Sequence, residues 1–316
     1  MPFHRVTSLL ADLEAEARLE RAAGDAMRQG LRHLARGRAW AHEALRAFET
    51  ALACREHPVP DVSSRARFAL AGTWLNIATA RLCLDRPGDA AVAEAASASA
   101  IALMAGLHGG EPARARRLAI AHHTRGRALM GMPGRDLDAS AALTAAIDVL
   151  SGLSIRHAPD RDYLLAAAWV ALADVRVRQP AGAGVGAIAA AEQALRLVRR
   201  FEWHDERAAE VGLVARHVCC RAAALALDAR CGQPPCTDDV VHLATDAADD
   251  GLALARRWEH RGVTRFRSIA QDLYQFGAGV YGRFQPQFVQ EFVGEHELAV
   301  RGADSPSDAA LGRRRN

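Results

Sequence analysis

Small apolar residues recur along the chain at helical spacing. In residues 126–150, GRALMGMPGRDLDASAALTAAIDVL, the side chains of Ala139, Leu143 and Ala146 fall on one face of an α-helix. The same spacing of four and then three positions returns in Ala44/Phe48/Ala51, Ala91/Ala95/Ala98, Ala187/Ala191/Ala194 and Ala244/Ala248/Gly251. Successive triplets start 47, 48, 48 and 57 residues apart. A face that returns at a nearly fixed interval predicts a repeated pair of helices.

Helix-breaking segments support this interval. Segments with Gly and Pro precede the last four triplets, at 85–89, 132–136, 179–184 and 231–236, and a second set of breaks falls near 58–64, 109–112, 157–160 and 201–206. They predict five antiparallel helix pairs, at about 8–57, 62–108, 112–156, 160–203 and 206–260. Two further helices, about 262–284 and 287–300, would cap the last pair. Residues 1–300 are expected to form one domain, followed by a disordered tail at 301–316.

Composition favours the same fold class. Half of the residues are hydrophobic, yet only 5% are aromatic, and runs of β-branched residues typical of strands are missing. Ala, Leu, Arg and Glu all favour helices. The sequence therefore predicts an all-α protein in which small side chains let neighbouring helices approach closely.

Two signatures appear in the predicted pairs. The second helix of the first pair carries Ala44-x3-Phe48-x2-Ala51, and two first helices carry Trp74-x2-Ile77-Ala78 and Trp169-x2-Leu172-Ala173, with Gly126 and Leu129 in the equivalent place of the third pair. Over residues 16–260 this pattern resembles the tetratricopeptide-repeat (TPR) family, with a repeat of about 48 residues rather than about 34. The resemblance implies a TPR-like α-solenoid of five antiparallel hairpins plus a C-terminal capping helix pair.

The resemblance also implies a binding groove lined by the first helices. The groove position after the Trp carries over to Leu75, His123, Val170 and His217, and Thr79, Arg127, Asp174 and Arg221 follow one turn later, with Asn76 placed to hold peptide backbone. The predicted groove residues are Asn76, Thr79, His123, Arg127, Asp174, His217 and Arg221. Their His and Arg side chains would suit an acidic peptide or a carboxylate terminus. The alternative is that all of them are simply solvated helix positions.

Aromatic residues concentrate near the C-terminus. Five of nine Phe and two of three Tyr lie in residues 266–292. Two interpretations stay open. Either these rings pack as a cap over the last helix pair, or they form a contact surface for a partner or a second copy of the chain, through Phe276, Tyr281, Phe284 and Phe288.

Charge and composition limit the partners. The 40 basic and 37 acidic residues are mixed along the chain and give a net charge of +3, so no basic face for nucleic acid is expected. All 40 basic residues are Arg, and with only two Asn this favours a high-GC bacterial genome over evasion of lysine modification. The sequence shows no signal-peptide core and no membrane-spanning run, which favours a cytoplasmic protein with reduced thiols and no membrane partner.

Candidate chemistry is sparse. Six possible zinc ligands fall within 26 residues, namely His217, Cys219, Cys220, Cys231, Cys236 and His242. Their spacing fits a zinc site only approximately, and buried cysteines are favoured over zinc or a Cys231–Cys236 disulfide. No His-Glu-x-x-His pattern surrounds His122 and His123, the Asp residues at 238–250 are interpreted mainly as helix caps, and neither a phosphate loop nor a nucleophile elbow is present. No metal or cofactor is predicted.

These observations favour a non-enzymatic scaffold or adaptor that binds a protein or peptide in a concave groove. Two alternatives remain. One is a regulatory or sensor module that binds a small molecule or a signalling peptide. The other is an enzyme on an α-helical scaffold that uses His122, His123 or the Asp- and Cys-rich fifth pair.

Overall fold

The computed structural model describes residues 3–56, 63–105, 111–179, 183–229 and 237–301, with side chains for 14–56, 63–105, 111–179, 184–227 and 238–296. Within these ranges every regular element is helical, so the all-α prediction is confirmed. The chain folds as two compact units, an N-terminal unit, Met1–Arg161, and a C-terminal unit, Asp162–Asn316. Of the predicted disordered tail at 301–316, Arg301 is the last helical residue of the chain as described, and residues 302–316 lie outside the described residues.

The N-terminal unit is a succession of neighbouring helices. Each helix packs on the next one in the chain, and α3 also touches α5. The helices are α1 (Phe3–Ala35), α2 (Ala41–Arg55), α3 (Ser64–Leu84), α4 (Asp89–Ala105), α5 (Pro112–Met130) and α6 (Asp136–Ser151).

The C-terminal unit is, by itself, also a succession of neighbouring helices. Its helices are α7 (Arg161–Arg178), α8 (Ala183–Val198), α9 (Glu206–Ala229), α10 (Thr237–Glu259), α11 (Arg267–Phe284) and α12 (Val289–Arg301). From α8 to α12 each helix packs on the next, α9 also touches α11, and α7 shares apolar cores with α8 and α9. Packing of each helix on the next one, and of some helices on the next but one, is compatible with a helical repeat.

Local sequence explains where these helices begin and end. The Ser63 side chain accepts a hydrogen bond from the Ala66 amide at the start of α3, and α5 opens on Pro112, whose fixed φ suits the first turn. Asp85 ends α3 in the left-handed region at φ 53°, and the turn between α5 and α6 needs Gly134 at φ 73°. Both turns fall in segments that the sequence predicts as breaks.

Four of the five predicted small-residue faces are buried. The residues of the triplets that start at Ala44, Ala139, Ala187 and Ala244 are all buried in helix interfaces. The remaining triplet is wrong, because Ala91 and Ala95 are exposed. On α4 the buried face with the same spacing is Ala93/Ser97/Ala100 instead. This helix has alanine on several faces, so the spacing alone does not select the buried one.

Glycine on one helix receives a bulky side chain from its neighbour. A Cβ on Gly126 of α5 would lie 2.6 Å from Cγ of Leu143 on α6, closer than real Cβ atoms approach, and a Cβ on Gly30 of α1 would meet the Phe48 ring of α2. Leu143 and Phe48 are fully buried middle members of their triplets. The small-residue faces therefore work together with a glycine on the facing helix to bring the two axes close.

Arginine side chains join helices in the N-terminal unit. Arg55 of α2 bonds Glu20 of α1 at 2.7 Å, Arg81 of α3 bonds Glu49 of α2 at 3.1 Å, and Arg125 of α5 bonds Glu94 of α4 at 2.9 Å. Arg55 also donates to the Thr73 hydroxyl on α3 at 2.7 Å. These bridges lie at the edges of apolar contacts and fix which polar groups face each other.

Candidate functional site on helices α7, α9 and α11

The predicted groove residues fall in both units. Asn76 and Thr79 lie on α3 and His123 and Arg127 on α5 of the N-terminal unit, whereas Asp174 lies on α7 and His217 and Arg221 on α9 of the C-terminal unit. The seven residues therefore form two sets, one in each unit. All seven lie on helices predicted as the first of a pair.

Two positions carried over from the TPR resemblance are wrong as groove positions. Leu75 is 6% exposed and packs among the buried residues of α3, α4 and α5, and Val170 is 7% exposed and packs among α7, α8 and α9. Trp74 and Trp169 are only partly buried and pack at the edge of these cores. A residue next to the Trp is turned by about 100° around the helix, and here that rotation places it inside.

The N-terminal set shows little mutual organisation. Thr79 donates its hydroxyl to the Leu75 carbonyl of its own helix at 3.0 Å. Asn76 and His123 are half-buried, and Arg127 is exposed. Burial lowers the pKa of the neighbouring His122, and the positive charge of Arg125 lowers it further. The binding role of these four residues stays a prediction.

The C-terminal set is brought together. Asp174 accepts hydrogen bonds from Arg221 Nη1 at 2.8 Å and from Arg178 Nη2 at 2.7 Å, so its carboxylate links α7 to α9. His217 lies one turn before Arg221, and its ring centroid is 5.7 Å from that of Phe276 on α11. We call Asp174, His217, Arg221 and Phe276 the polar face of this unit. It combines an ion pair, an imidazole and an aromatic ring from three helices.

Charges on the polar face largely cancel. Burial lowers the pKa of His217, Asp272 and Asp174 raise it, and Arg221 lowers it, with a net shift downwards. The imidazole is therefore neutral near pH 7 and offers one donor and one acceptor. Because Asp174 and Asp272 balance Arg178 and Arg221 in number, the face suits a ligand with mixed polar and apolar groups better than a purely anionic one.

The shift of His217 predicts a dependence of stability on pH. Its pKa is lower in the folded chain than the unfolded value of about 6.5, so the unfolded chain binds more protons between these two values. The contribution of His217 to the free energy of unfolding is complete above about pH 6.5, and it is lost as the pH falls from there towards the pKa of the folded state. In urea titrations between pH 7.5 and 5, we expect wild type to lose more stability than His217→Gln. Parallel curves for the two proteins would contradict this assignment.

The aromatic residues of α11 and the following turn are mostly packed within the C-terminal unit. Tyr281 donates its hydroxyl to Asp249 at 2.8 Å, and burial followed by this carboxylate raises its pKa. Phe284 packs against α9 and α10, and only Phe288, 46% exposed, faces outward to a large extent. Phe292 of α12 is 3% exposed and stacks on Tyr274. This packing favours the cap interpretation, and an interface with a second copy stays a prediction.

Sequence reasoning missed two polar clusters, one fully buried and one around the buried His296. Glu202 and Arg216 form a bidentate ion pair of 2.7 and 2.8 Å, with side chains only 1% and 4% exposed. His296 of α12 lies between Asp249, at 3.0 Å from Nε2, and Arg256, at 2.9 Å from Nδ1. Arg256 can only donate, so His296 accepts at Nδ1 and carries its proton on Nε2. The one signal in the sequence for the Glu202–Arg216 pair is Gly212, one turn before Arg216. A Cβ at this position would collide with the Glu202 side chain.

The two buried cysteines, Cys219 and Cys220, are not activated for chemistry. Cys219 and Cys220 are each 1% exposed, burial raises the pKa of Cys219 to about 12, and burial raises that of Cys220 as well. Such thiols stay protonated and are poor nucleophiles and metal ligands. Within the described ranges no group of three or more His, Cys, Asp or Glu residues is placed to hold a metal ion. Cys231 and Cys236 lie outside the described residues, and so do the zinc and disulfide alternatives that involve them.

The cavity at the contact between α10 and α11 is smaller than a small-molecule ligand. A cavity there, beside Leu252, Phe266 and Ala270, has a volume of about 10 Å³, enough for about one water molecule. Small-molecule pockets usually enclose about 300 Å³ or more.

Among the helices that the structure describes, none has both the length and the apolar surface to cross a bilayer.

Comparison with known proteins identifies no family. No protein-family model matches the chain, and no curated protein matches it. The likeness to TPR proteins therefore rests on the small-residue pattern and on the succession of packed helices.

Proposed function

We propose that this chain is a non-enzymatic scaffold or adaptor that binds a peptide or protein segment through a TPR-like solenoid of five helix hairpins and a C-terminal cap. The binding surface is the polar face of α7, α9 and α11. One observation carries the proposal, which is that Asp174 and Arg221 join two first helices at 2.8 Å, with His217 and Phe276 beside them.

The polar face is organised before any ligand arrives. The side chains of Asp174 and Arg221 are 18% and 33% exposed, so both are held by neighbours and still reach solvent. Arg221 keeps further N–H groups that can donate, and His217 keeps a donor and an acceptor. Fixed polar groups beside an aromatic ring suit an extended peptide, because only the ligand must then be ordered on binding.

The two alternatives receive less support. The cavity between α10 and α11 is far smaller than a metabolite, and the two buried thiols stay protonated. An acidic ligand, expected from His123, Arg127, His217 and Arg221, is also less favoured on this face because His217 is neutral and Arg221 is paired. We therefore propose a ligand with both polar and apolar side chains.

Selection from a random peptide library tests the proposal. Twelve-residue peptides displayed on phage are selected on the immobilised full chain, and enriched peptides are measured by fluorescence anisotropy. We expect Arg221→Ala to weaken binding about tenfold, the effect of losing one charge-assisted hydrogen bond. Arg196→Ala removes an exposed charge from α8 of the same unit and is the matched control. Equal affinities for the two variants, or failure to enrich any peptide, would refute the proposed site.

A further inference from the structure

A short sequence is repeated at the ends of α8 and α10. Residues 199–202 read RRFE and residues 256–259 read RRWE, and their separation of 57 residues equals that between the triplets at Ala187 and Ala244. The repeat therefore places the same residue types at the same end of two successive second helices. The proposed peptide site uses none of them.

These two ends pack together around a tryptophan. Trp258 donates its indole N–H to the Glu202 carbonyl at 2.9 Å, and Arg261 Nη1 donates to the Trp203 carbonyl at 3.1 Å. The guanidinium of Arg257 lies 5.4 Å from the Trp203 ring centroid. The end of α10 is thus fixed onto the α8–α9 turn, and two guanidinium groups are held beside aromatic rings.

Arg257 and Arg261 differ from neighbouring cations. Both are exposed, and among the described residues they contact rings and a backbone carbonyl but form no ion pair. Nearby arginines are paired, Arg200 with Asp162 at 3.3 Å and Arg267 with Glu259 at 2.7 Å. The α8–α10 ends therefore carry positive charge that the described part of the chain does not neutralise.

The α8–α9 turn that carries Trp203 also carries an exposed ring. Phe201 is 42% exposed, and Arg200 lies 4.5 Å from its ring centroid. An arginine stacked on a ring loses little further freedom on binding, and the edge of its guanidinium matches a carboxylate. We name Phe201, Trp203, Arg257 and Arg261 the arginine–aromatic rim.

We propose that the arginine–aromatic rim is an interaction surface for an acidic segment of a protein partner. Carboxylates of the partner bind Arg257 and Arg261, and an apolar side chain next to them packs on Phe201. Acidic residues interrupt the sequence around the rim, as Glu202, Asp205 and Glu259 do, and the net charge of the chain is only +3. Such a surface offers two adjacent cations rather than the continuous basic track that a nucleic acid requires.

Fluorescence anisotropy on the full chain tests this surface with three labelled probes. The first is the peptide Glu-Asp-Glu-Phe-Asp-Glu-Glu, the second replaces every acid by its amide, and the third is a twelve-nucleotide oligothymidylate. We expect the acidic peptide to bind and the amide peptide not to bind. The described contact of the Arg257 side chain is only with a ring. Arg257→Gln should therefore weaken binding of the acidic peptide about tenfold and keep the helical circular-dichroism signal. Phe201→Ser is a second variant that leaves every charge in place, and it should also weaken binding of the acidic peptide.

Controls separate this surface from the polar face. Arg32→Gln removes an exposed charge from α1 and should leave the affinity unchanged, as should Arg221→Ala, which tests the proposed peptide site. Equal binding of the acidic and amide peptides, or an equal loss in Arg32→Gln and Arg257→Gln, would overturn the proposal. Tighter binding of the oligothymidylate, in competition with the peptide, would reassign the rim to nucleic acid.

Discussion

Replacement of Arg216 by Met is expected to lower the free energy of unfolding by about 3–5 kcal/mol. Arg216 holds the Glu202 carboxylate through two hydrogen bonds of 2.7 and 2.8 Å, and both side chains are almost fully buried. Methionine fills similar space but leaves the buried Glu202 carboxylate without this partner, which is strongly unfavourable. Urea denaturation followed by the helical circular-dichroism signal measures the loss.

An exposed arginine of the same unit is the control for this prediction. Arg199 is 74% exposed and lies 3.8 Å from Asp250, so Arg199→Met should cost less than about 1 kcal/mol. The double variant Glu202→Leu, Arg216→Met should recover much of the stability, because it removes the stranded charge as well. Similar losses for Arg216→Met and Arg199→Met would show that the buried pair is not a major determinant of stability.

Two glycines of α11, only two residues apart, should respond to alanine in opposite directions. A Cβ on Gly277 would collide with the Phe292 ring and lie 3.0 Å from the Ala248 Cβ. Phe292 is 3% exposed and is stacked on Tyr274, so its ring has little room to move. We expect Gly277→Ala to destabilise the chain by about 1–3 kcal/mol, the usual cost of overpacking.

Gly279→Ala is the matched control. A Cβ on Gly279 meets nothing within 4 Å, and alanine favours a helix over glycine by about 1 kcal/mol. Gly279→Ala should therefore raise the urea midpoint, whereas Gly277→Ala should lower it. A rise for both variants would mean that α12 does not pack on α11 as described.

The succession of helices could be predicted from the sequence because its signals are local. Gly and Pro mark turns, and four of the five triplets lie on buried faces whose spacing is set within one helix. The triplet on α4 failed because alanine occupies both the buried Ala93 and the exposed Ala91 and Ala95. Where all faces of a helix carry small side chains, the neighbouring helices determine which face is buried.

The candidate site was predictable only in part. The resemblance to TPR helices selected Asp174 and Arg221, which lie 47 residues apart in sequence and meet in space. It also selected Leu75 and Val170, which are buried, because one step along the helix from the partly buried Trp74 and Trp169 turns them into the core. The burial of Glu202 and Arg216 could not be read from the sequence, since charged side chains are normally exposed and only tertiary packing decides the exception.

The arginine bridges between helices have a consequence for replacement by lysine. A guanidinium group donates through several N–H groups held in one plane, whereas a lysine ammonium group is a compact charge without that fork. Arg55 uses the fork to bond both carboxylate oxygens of Glu20, at 3.2 and 2.7 Å, and also donates to the Thr73 hydroxyl at 2.7 Å. A lysine at this position would keep the charge but lose the planar pair of bonds, so this lysine-free chain depends on the shape of arginine as well as on its charge.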